Sequence, residues 1–355
     1  MQYSTVAKVL GLDRKKLQDW YKNHLSDFKS PSVQEALHKN DITLPPKLQT
    51  TEEQKVDVPI LKPENLGEQM AVDEKYINGK FYTLLTNAKT GKIALMASTT
   101  KSELLSQAGS LLGDKRFDVK ILTRDLASYY DWFGRTNFMN AAHVADKFHV
   151  LKHAFDALQD LRIYHRQKLL SKKREAFEKY KKLKKDKPKL RFTYNENKLA
   201  NGETHRQLLA RSRHLLFKYP NQWTQNQSER ASLLFKNYPD LKLSYKFIID
   251  FRNWYSADNV IGKELDKKAR FDKLQMINNQ LNKWMQRVNL ADITEISNFK
   301  SLVERHRGEI TNYFITGASN AIAEANNSII NAFIRNNRGT RNLDFFYFRL
   351  SQFLS

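Results

Sequence analysis

"MAVDEKYINGKFYTLLTNAKTGKIALMAS", Met70 to Ser98, decides the fold. Three runs rich in apolar, β-branched and aromatic residues are separated by two turn signals, Asn78-Gly79 and the Ala88–Lys92 stretch "AKTGK". Asn-Gly is a strong hairpin dipeptide because both residues accept positive φ, so the stretch predicts a three-stranded antiparallel meander. Downstream, "TKSELLSQAGSLLG" reads as a helix, "FDVKILTRD" as a short buried strand and "LASYYDWFGRTNF" as a second helix. "AAHVADKFHVLKHAFDALQDL" then reads as a strand running into a third helix. Three antiparallel strands, helix, strand, helix, strand, helix is the order of an α/β ribonuclease H-like core with a mixed five-stranded sheet. The order alone also suits other α/β domains.

Outward from this core the pattern changes on both sides. Residues 1–45 contain "YSTVAKVLGLDRKKLQDWYKNHL", which has helix-turn-helix spacing. Ala7 lets two helices cross closely, Gly11 lies in the turn, and Leu17 and Trp20 pack the second helix back on the first. Arg14, Lys15, Lys16 and Lys22 then fall on the helix that would enter a DNA groove; a plain helical hairpin with a solvated basic face fits the same spacing. Residues 46–69 are polar and contain Pro, and read as a linker. Residues 70–161 form the first part of the core, 162–305 an all-helical insertion, and 306–355 the closing part of the core. Within the insertion, Ser171 to Lys189 carries ten basic and three acidic residues, a composition of either a solvated helix or a DNA-backbone contact.

The whole chain of 355 residues holds 60 Lys plus Arg against 38 Asp plus Glu, a formal charge of +22, which suits a nucleic-acid partner. Its 41% apolar content is too high for general disorder. No apolar run reaches the roughly 20 residues of a membrane span, and the N-terminus lacks the apolar segment of a signal peptide, so a cytoplasmic protein without membrane partners is expected. With no Cys, thiolate zinc sites and Cys nucleophiles are excluded, and any metal falls to carboxylates, His or carbonyls.

Three acids stand out. Asp73 ends the first meander strand and Asp125 ends the fourth strand; on adjacent parallel strands their carboxylates converge. Each also reads singly as a turn opener or helix cap. The third, Glu324, is the lone acid of "ITGASNAIAEANNSIINAFIRNNRGTRNLDFFYFRL", Ile315 to Leu350, which reads as one long helix. At 100° per residue, Ile322, Ala325, Ile329 and Phe333 form an apolar stripe for the sheet's edge. Asn320, Glu324, Asn327, Asn331 and Arg335 lie opposite, facing an anionic ligand. Three oxygen donors suit a hard cation, magnesium or in its place manganese. Two such ions roughly 3.5 to 4 Å apart activate a water or 3′-hydroxyl for in-line attack on a phosphodiester. Asp146, His149 and His153 have a rival metal spacing on one helix face; a structural or DNA-positioning role is preferred and no zinc is expected.

"AVDEKYINGKFYTLLTN", "VKILTRDLASYYDWFGRTNFMNAAHVADKFHVLKHAFDAL", "RSRHLLFKYPNQWTQNQSERASLLFKNYPDLKLSYKF" and "SNAIAEANNSIINAFIRNNRGTRNLDFFYFRL" resemble, in that order, the signature blocks of bacterial insertion-sequence transposases of the ISL-three type. The resemblance implies a DDE catalytic core of ribonuclease H-like fold, with its first acid at Asp73, its second at Asp125 and its third at Glu324. The family's D-x-F-H block falls on Asp146, Phe148 and His149, making Asp146 and His149 accessory candidates. It also implies magnesium-dependent strand cleavage and joining on double-stranded DNA, both terminal inverted repeats and target. Assembly as a homo-oligomer on DNA and a nucleoid-associated bacterial location belong with it. DNA contacts are expected from Asn320, Asn327, Asn331, Arg335 and Arg338 besides the N-terminal cations. Members usually begin with a Cys-rich zinc module, which a Cys-free chain lacks. The helix-turn-helix then recognises the ends alone, or a separately encoded zinc-module protein assists it. Two other functions fit the same residues: a ribonuclease H-like nuclease or resolvase without joining activity, and a transposase-derived, non-catalytic DNA-binding protein.

Overall fold

Asn78 and Gly79 both adopt positive φ, 48° and 91°, and the strands that they join pair antiparallel. A computed structural model describes residues 3–44, 46–49, 55–262, 265–337 and 342–354; the side chains of Tyr3, Leu48, Ala321, Ala323 and Glu324 lie outside that description. The chain forms two compact units, Met1–Lys147 with Gly308–Ser355, and Phe148–Arg307.

The first unit begins with α1 (Tyr3–Leu10), α2 (Arg14–Trp20), α3 (Pro31–Ala36), β1 (Ile42–Thr43), β2 (Lys55–Val56) and β3 (Ile60–Leu61). The meander follows as β4 (Gln69–Ile77), β5 (Lys80–Asn87) and β6 (Ile93–Ala97). After α4 (Ser102–Ser110), β7 (Ile121–Arg124), α5 (Ser128–Asn137) and β8 (Ala142–Ala145) complete the N-terminal part. The second unit holds most of α6 (Lys147–Asp186), then α7 (His205–Arg211), α8 (Gln225–Asn237), α9 (Pro239–Trp254), α10 (Lys267–Ala291) and α11 (Thr294–Arg305). The chain returns to the first unit through α12 (Arg307–Thr316), α13 (Ala321–Asn336) and α14 (Leu343–Leu354).

The main sheet has the order β3-β6-β5-β4-β7-β8, with β4–β7 and β7–β8 parallel and the remaining pairs antiparallel. Among the described residues it therefore has six strands and not the five expected. The sixth is β3, which pairs with β6 through Ile60–Met96 and Leu61–Leu95 and is too short for alternation to show. Because side chains alternate across a strand, Met70 and Val72 of β4 join Leu85 and Leu122 under α4 and α5. On the other face Ile77, Tyr82, Leu84 and Met96 pack against Ile330 and Phe333 of α13 and Phe346 and Leu350 of α14. Each such apolar side chain contributes roughly 1.5 to 3 kcal/mol when fully buried.

Two expectations for the closing segment are corrected. Ile315 to Leu350 is not one helix: α12 stops where Gly317 turns left-handed at φ 65° and its N–H bonds to the Tyr313 carbonyl at 2.8 Å, a common helix ending. Nor does the expected apolar stripe of α13 pack on the sheet's edge. The helix lies on a face and buries Asn326, Ile330 and Phe333, while Ala325 is exposed and Ile329 is 42% exposed.

The second unit is helical; among its described residues the only β pairing is the isolated Lys198–Thr204 bridge. Its core is aromatic, and two indoles satisfy their N–H groups on main-chain carbonyls across helices: Trp254 on Ile277 at 3.0 Å and Trp284 on Phe247 at 2.9 Å. A buried indole keeps its partner because an unmade hydrogen bond there costs about 1 to 3 kcal/mol.

Candidate active site

Ala71 of β4 is registered with Thr123 of β7, and Arg124 of β7 with Ala145 of β8. Continuing those parallel registers puts Asp73 of β4 level with Asp125, the residue after β7, and Asp125 level with Asp146, the residue after β8. Adjacent strands lie about 4.8 Å apart. Asp73 sits within β4, which runs on to Ile77, so it does not end that strand; the parallel pairing with β7 stops just before it. Asp125 directly follows β7.

Local bonds orient both carboxylates. Asp73 Oδ1 accepts the Glu74 N–H at 2.8 Å, and Asp73 Oδ2 accepts the side-chain amide of Asn327 on α13. Asp125 Oδ1 accepts the Leu126 N–H at 2.5 Å. Asp125 does not cap α5, whose N-cap is Ala127, without a side-chain bond. The Asn327 amide oxygen is buried and has no hydrogen-bond partner among the described residues, leaving an acceptor beside Asp73. Lys75 reaches the Asn327 carbonyl at 3.4 Å; burial pulls its pKa below the ordinary lysine value, and the Asp73 charge counters that shift.

Position 324 lies one helical turn before Asn327 and therefore on the same side of α13. The helix is fastened here by consecutive asparagines: Asn327 bonds Asp73, and Asn326, buried to 7% exposure, donates to the carbonyl of Gly91 in the turn after β5. Gly91 has φ 75°, and a Cβ there would come within 3.4 Å of the Asn326 oxygen, so glycine suits both the turn and the close approach.

A buried ion cluster supports Asp125 from behind. Arg124 is 1% exposed and donates to Asp131 of α5 at 2.6 Å, to Glu309 of α12 at 2.8 Å and to the Asp125 carbonyl at 3.2 Å. Arg135 holds Asp131 from the solvent side at 2.8 and 3.0 Å. Burial lowers the Arg124 pKa, and the charges of Glu309 and Asp131 oppose that shift. Residue-by-residue reading missed Arg124, Asp131, Arg135, Glu309 and Asn326; no local signal marks them, since their partners come from other elements.

The remaining candidates divide. Asp146 is 3% exposed and its N–H bonds the Arg124 carbonyl at 2.8 Å, while His149 and His153 lie on α6. Among the described residues no three His, Cys, Asp or Glu side chains form a metal-holding group. Asn320 is 3% exposed, Asn331 and Arg335 are exposed, and Arg338 lies outside the described residues.

At the N-terminus, Gly11 makes the turn at φ 62°, Ala7 and Leu17 are buried, and Arg14, Lys15 and Lys16 are exposed on α2. Trp20 is 53% exposed. The helix runs on from α2 without a break as the π-helical turn Tyr21–Leu25, which carries Lys22 with its ammonium 5.7 Å from the Phe28 ring centre and 5.8 Å from that of Phe345. Cation–π contact holds it against the unit.

No helix among the described residues is long and apolar enough to cross a membrane. No curated protein and no solved structure matches the chain. Residues 70–350 match the transposase family of the ISL-three DDE type, and the chain belongs to that family.

Proposed function

We propose that this transposase cuts insertion-sequence ends and joins them to target DNA, with Asp73, Asp125 and Glu324 as its catalytic acids. The observation that supports the reading is the parallel pairing of β4 with β7 up to Ala71 and Thr123, which, continued by two residues, brings Asp73 level with Asp125 beneath the helix that bears position 324. Two carboxylates one strand spacing apart repel by roughly 3 kcal/mol at an effective dielectric constant near 20, a cost that a bound cation removes. The donors on hand, two carboxylates and the unpartnered Asn327 amide oxygen, are all hard oxygens, which fits magnesium or manganese.

Asp73, Asp125 and Glu324 would hold the metal. When bound, it supplies Lewis-acid polarisation of the phosphate and a more acidic attacking water or 3′-hydroxyl. The Asn327 amide fixes which way the Asp73 carboxylate points, and Arg124 holds the Asp125 main chain in place. Asn331, Arg335 and Arg338 would contact the phosphate backbone, and Arg14, Lys15 and Lys16 would serve end recognition, alone or with a separately encoded zinc-module protein. Homo-oligomers on paired ends and a nucleoid location complete the reading.

The test supplies purified protein with labelled element ends, target DNA and magnesium. Strand-transfer products support the proposal. Nicks without joined product would make the chain a nuclease or resolvase, and shifted but intact DNA a binding protein.

A further inference from the structure

Beyond Arg162, no residue of α6 is buried, yet the helix continues to Asp186. His165 still ties it to Asp240 of α9 at 2.7 Å, and the length after His165 spans about 32 Å at 1.5 Å per residue, close to one turn of B-form DNA. Isolated helices of this kind are marginal in water, so something local must hold this one.

The brace is an aromatic clasp. The segment after the helix folds back, and Phe192 meets Phe177 and Tyr180 with ring centres 5.0 and 5.3 Å apart. The Tyr180 hydroxyl donates to the Leu190 carbonyl at 3.1 Å, and Glu196 ties Lys173 to Arg206 of α7 at 3.6 and 3.3 Å. The clasp thus buys rigidity for a helix end that reaches no hydrophobic core.

Lys172, Lys179 and Lys182 fall within an arc of about 80° on the side turned away from Phe177 and Tyr180. All three are exposed, and none has an ion pair among the described residues. The same arc also holds the exposed Lys168 and the exposed acids Glu175 and Asp186, so the face carries a net positive charge, which a phosphate backbone matches and which can follow that backbone without reading bases.

We propose that the braced end of α6 grips the phosphate backbone of duplex DNA through Lys172, Lys179 and Lys182. The inference rests on the reading that this chain acts on DNA. It adds a contact surface in the second unit, separate from the acids and from the N-terminal cations.

The test compares the full-length parent with K172Q/K179Q/K182Q and with K267Q/K268Q/K283Q, which removes equal charge from exposed positions of α10. Binding to an arbitrary duplex of about 30 base pairs is followed by fluorescence anisotropy across a salt series without magnesium, with circular dichroism confirming the fold. Each lost phosphate contact should flatten the log–log salt slope by about 0.9. The arm variant should therefore flatten by about 2 to 3 and bind at least tenfold more weakly, with the α10 variant close to parent. Parent-like binding by the arm variant overturns the inference, and so does an equal loss in both variants. A parent that binds no duplex at all overturns the functional reading itself, a result distinguishable from failure of the arm alone.

Discussion

Asn327 donates its side-chain amide to a carboxylate oxygen of Asp73, 254 residues earlier in the chain. The bond joins the helix that carries position 324 to the strand that carries the first acid, and it fixes the carboxylate's direction. Groups that orient a metal-binding carboxylate typically cost 10- to 100-fold in metal affinity when removed. Asn327→Ala should therefore weaken manganese binding by that factor, read by calorimetry, with a thermal midpoint near that of the parent. Unchanged manganese affinity would sink this role for Asn327.

The register of Asp73 with Asp125 carries a second expectation. If the two carboxylates repel in the metal-free protein, neutralising one relieves the repulsion. Asp125→Asn should raise the melting temperature without metal, by about 2 to 4 °C for each kcal/mol relieved. It should also abolish the further rise that magnesium gives the parent. Glu324→Gln should stop DNA cleavage while leaving DNA affinity nearly intact. Scanning fluorimetry with and without magnesium checks the first pair of outcomes, and gel assays the last.

What the sequence made legible follows from how far each determinant reaches. Asn78-Gly79 and the alternating runs around it act over two to eight residues, so β4, β5 and β6 could be read directly. The face of α13 could not, because its buried stripe includes Asn326, a polar residue whose amide is satisfied by the Gly91 carbonyl 235 positions away. Counted as polar, Asn326 shifts the apparent stripe toward Ile329, which is in fact 42% exposed. The break at Gly317 did carry a local signal, a glycine after the last helical turn. Nothing next to Arg124 in the sequence marks it as buried. Its burial depends on Glu309, 185 residues on, and on Asp131 in the next helix.

That cluster gives a stability prediction with a built-in control. Removing one partner of a buried ion pair typically costs about 3 to 5 kcal/mol because the other charge stays buried alone. Arg124→Met should lose stability on that scale in urea unfolding. The double variant R124M/E309L removes both members and leaves Asp131 paired with Arg135, so it should recover most of the loss. A double variant as unstable as the single would show that packing around Arg124, rather than charge balance, dominates.

In the second unit, Glu203 is 6% exposed and accepts hydrogen bonds from Arg230 at 2.8 Å, Arg211 at 2.9 Å and Asn201 at 3.1 Å. The Arg230 bond is the largest cause of a pKa lowered to about 2, and burial works against it. A carboxyl depressed on folding stabilises the native state fully above its unfolded pKa, near 4.3, and loses that contribution as pH falls through the folded value. At one pKa unit per 1.36 kcal/mol the contribution at pH 7 is about 3 kcal/mol. Glu203→Gln should be less stable than the parent by about that amount at pH 7, and the gap should close between roughly pH 4.5 and pH 2. Urea titrations of both proteins across that range measure the gap, and one that stays constant down to pH 2 would mean that Glu203 acts through shape and not through its charge.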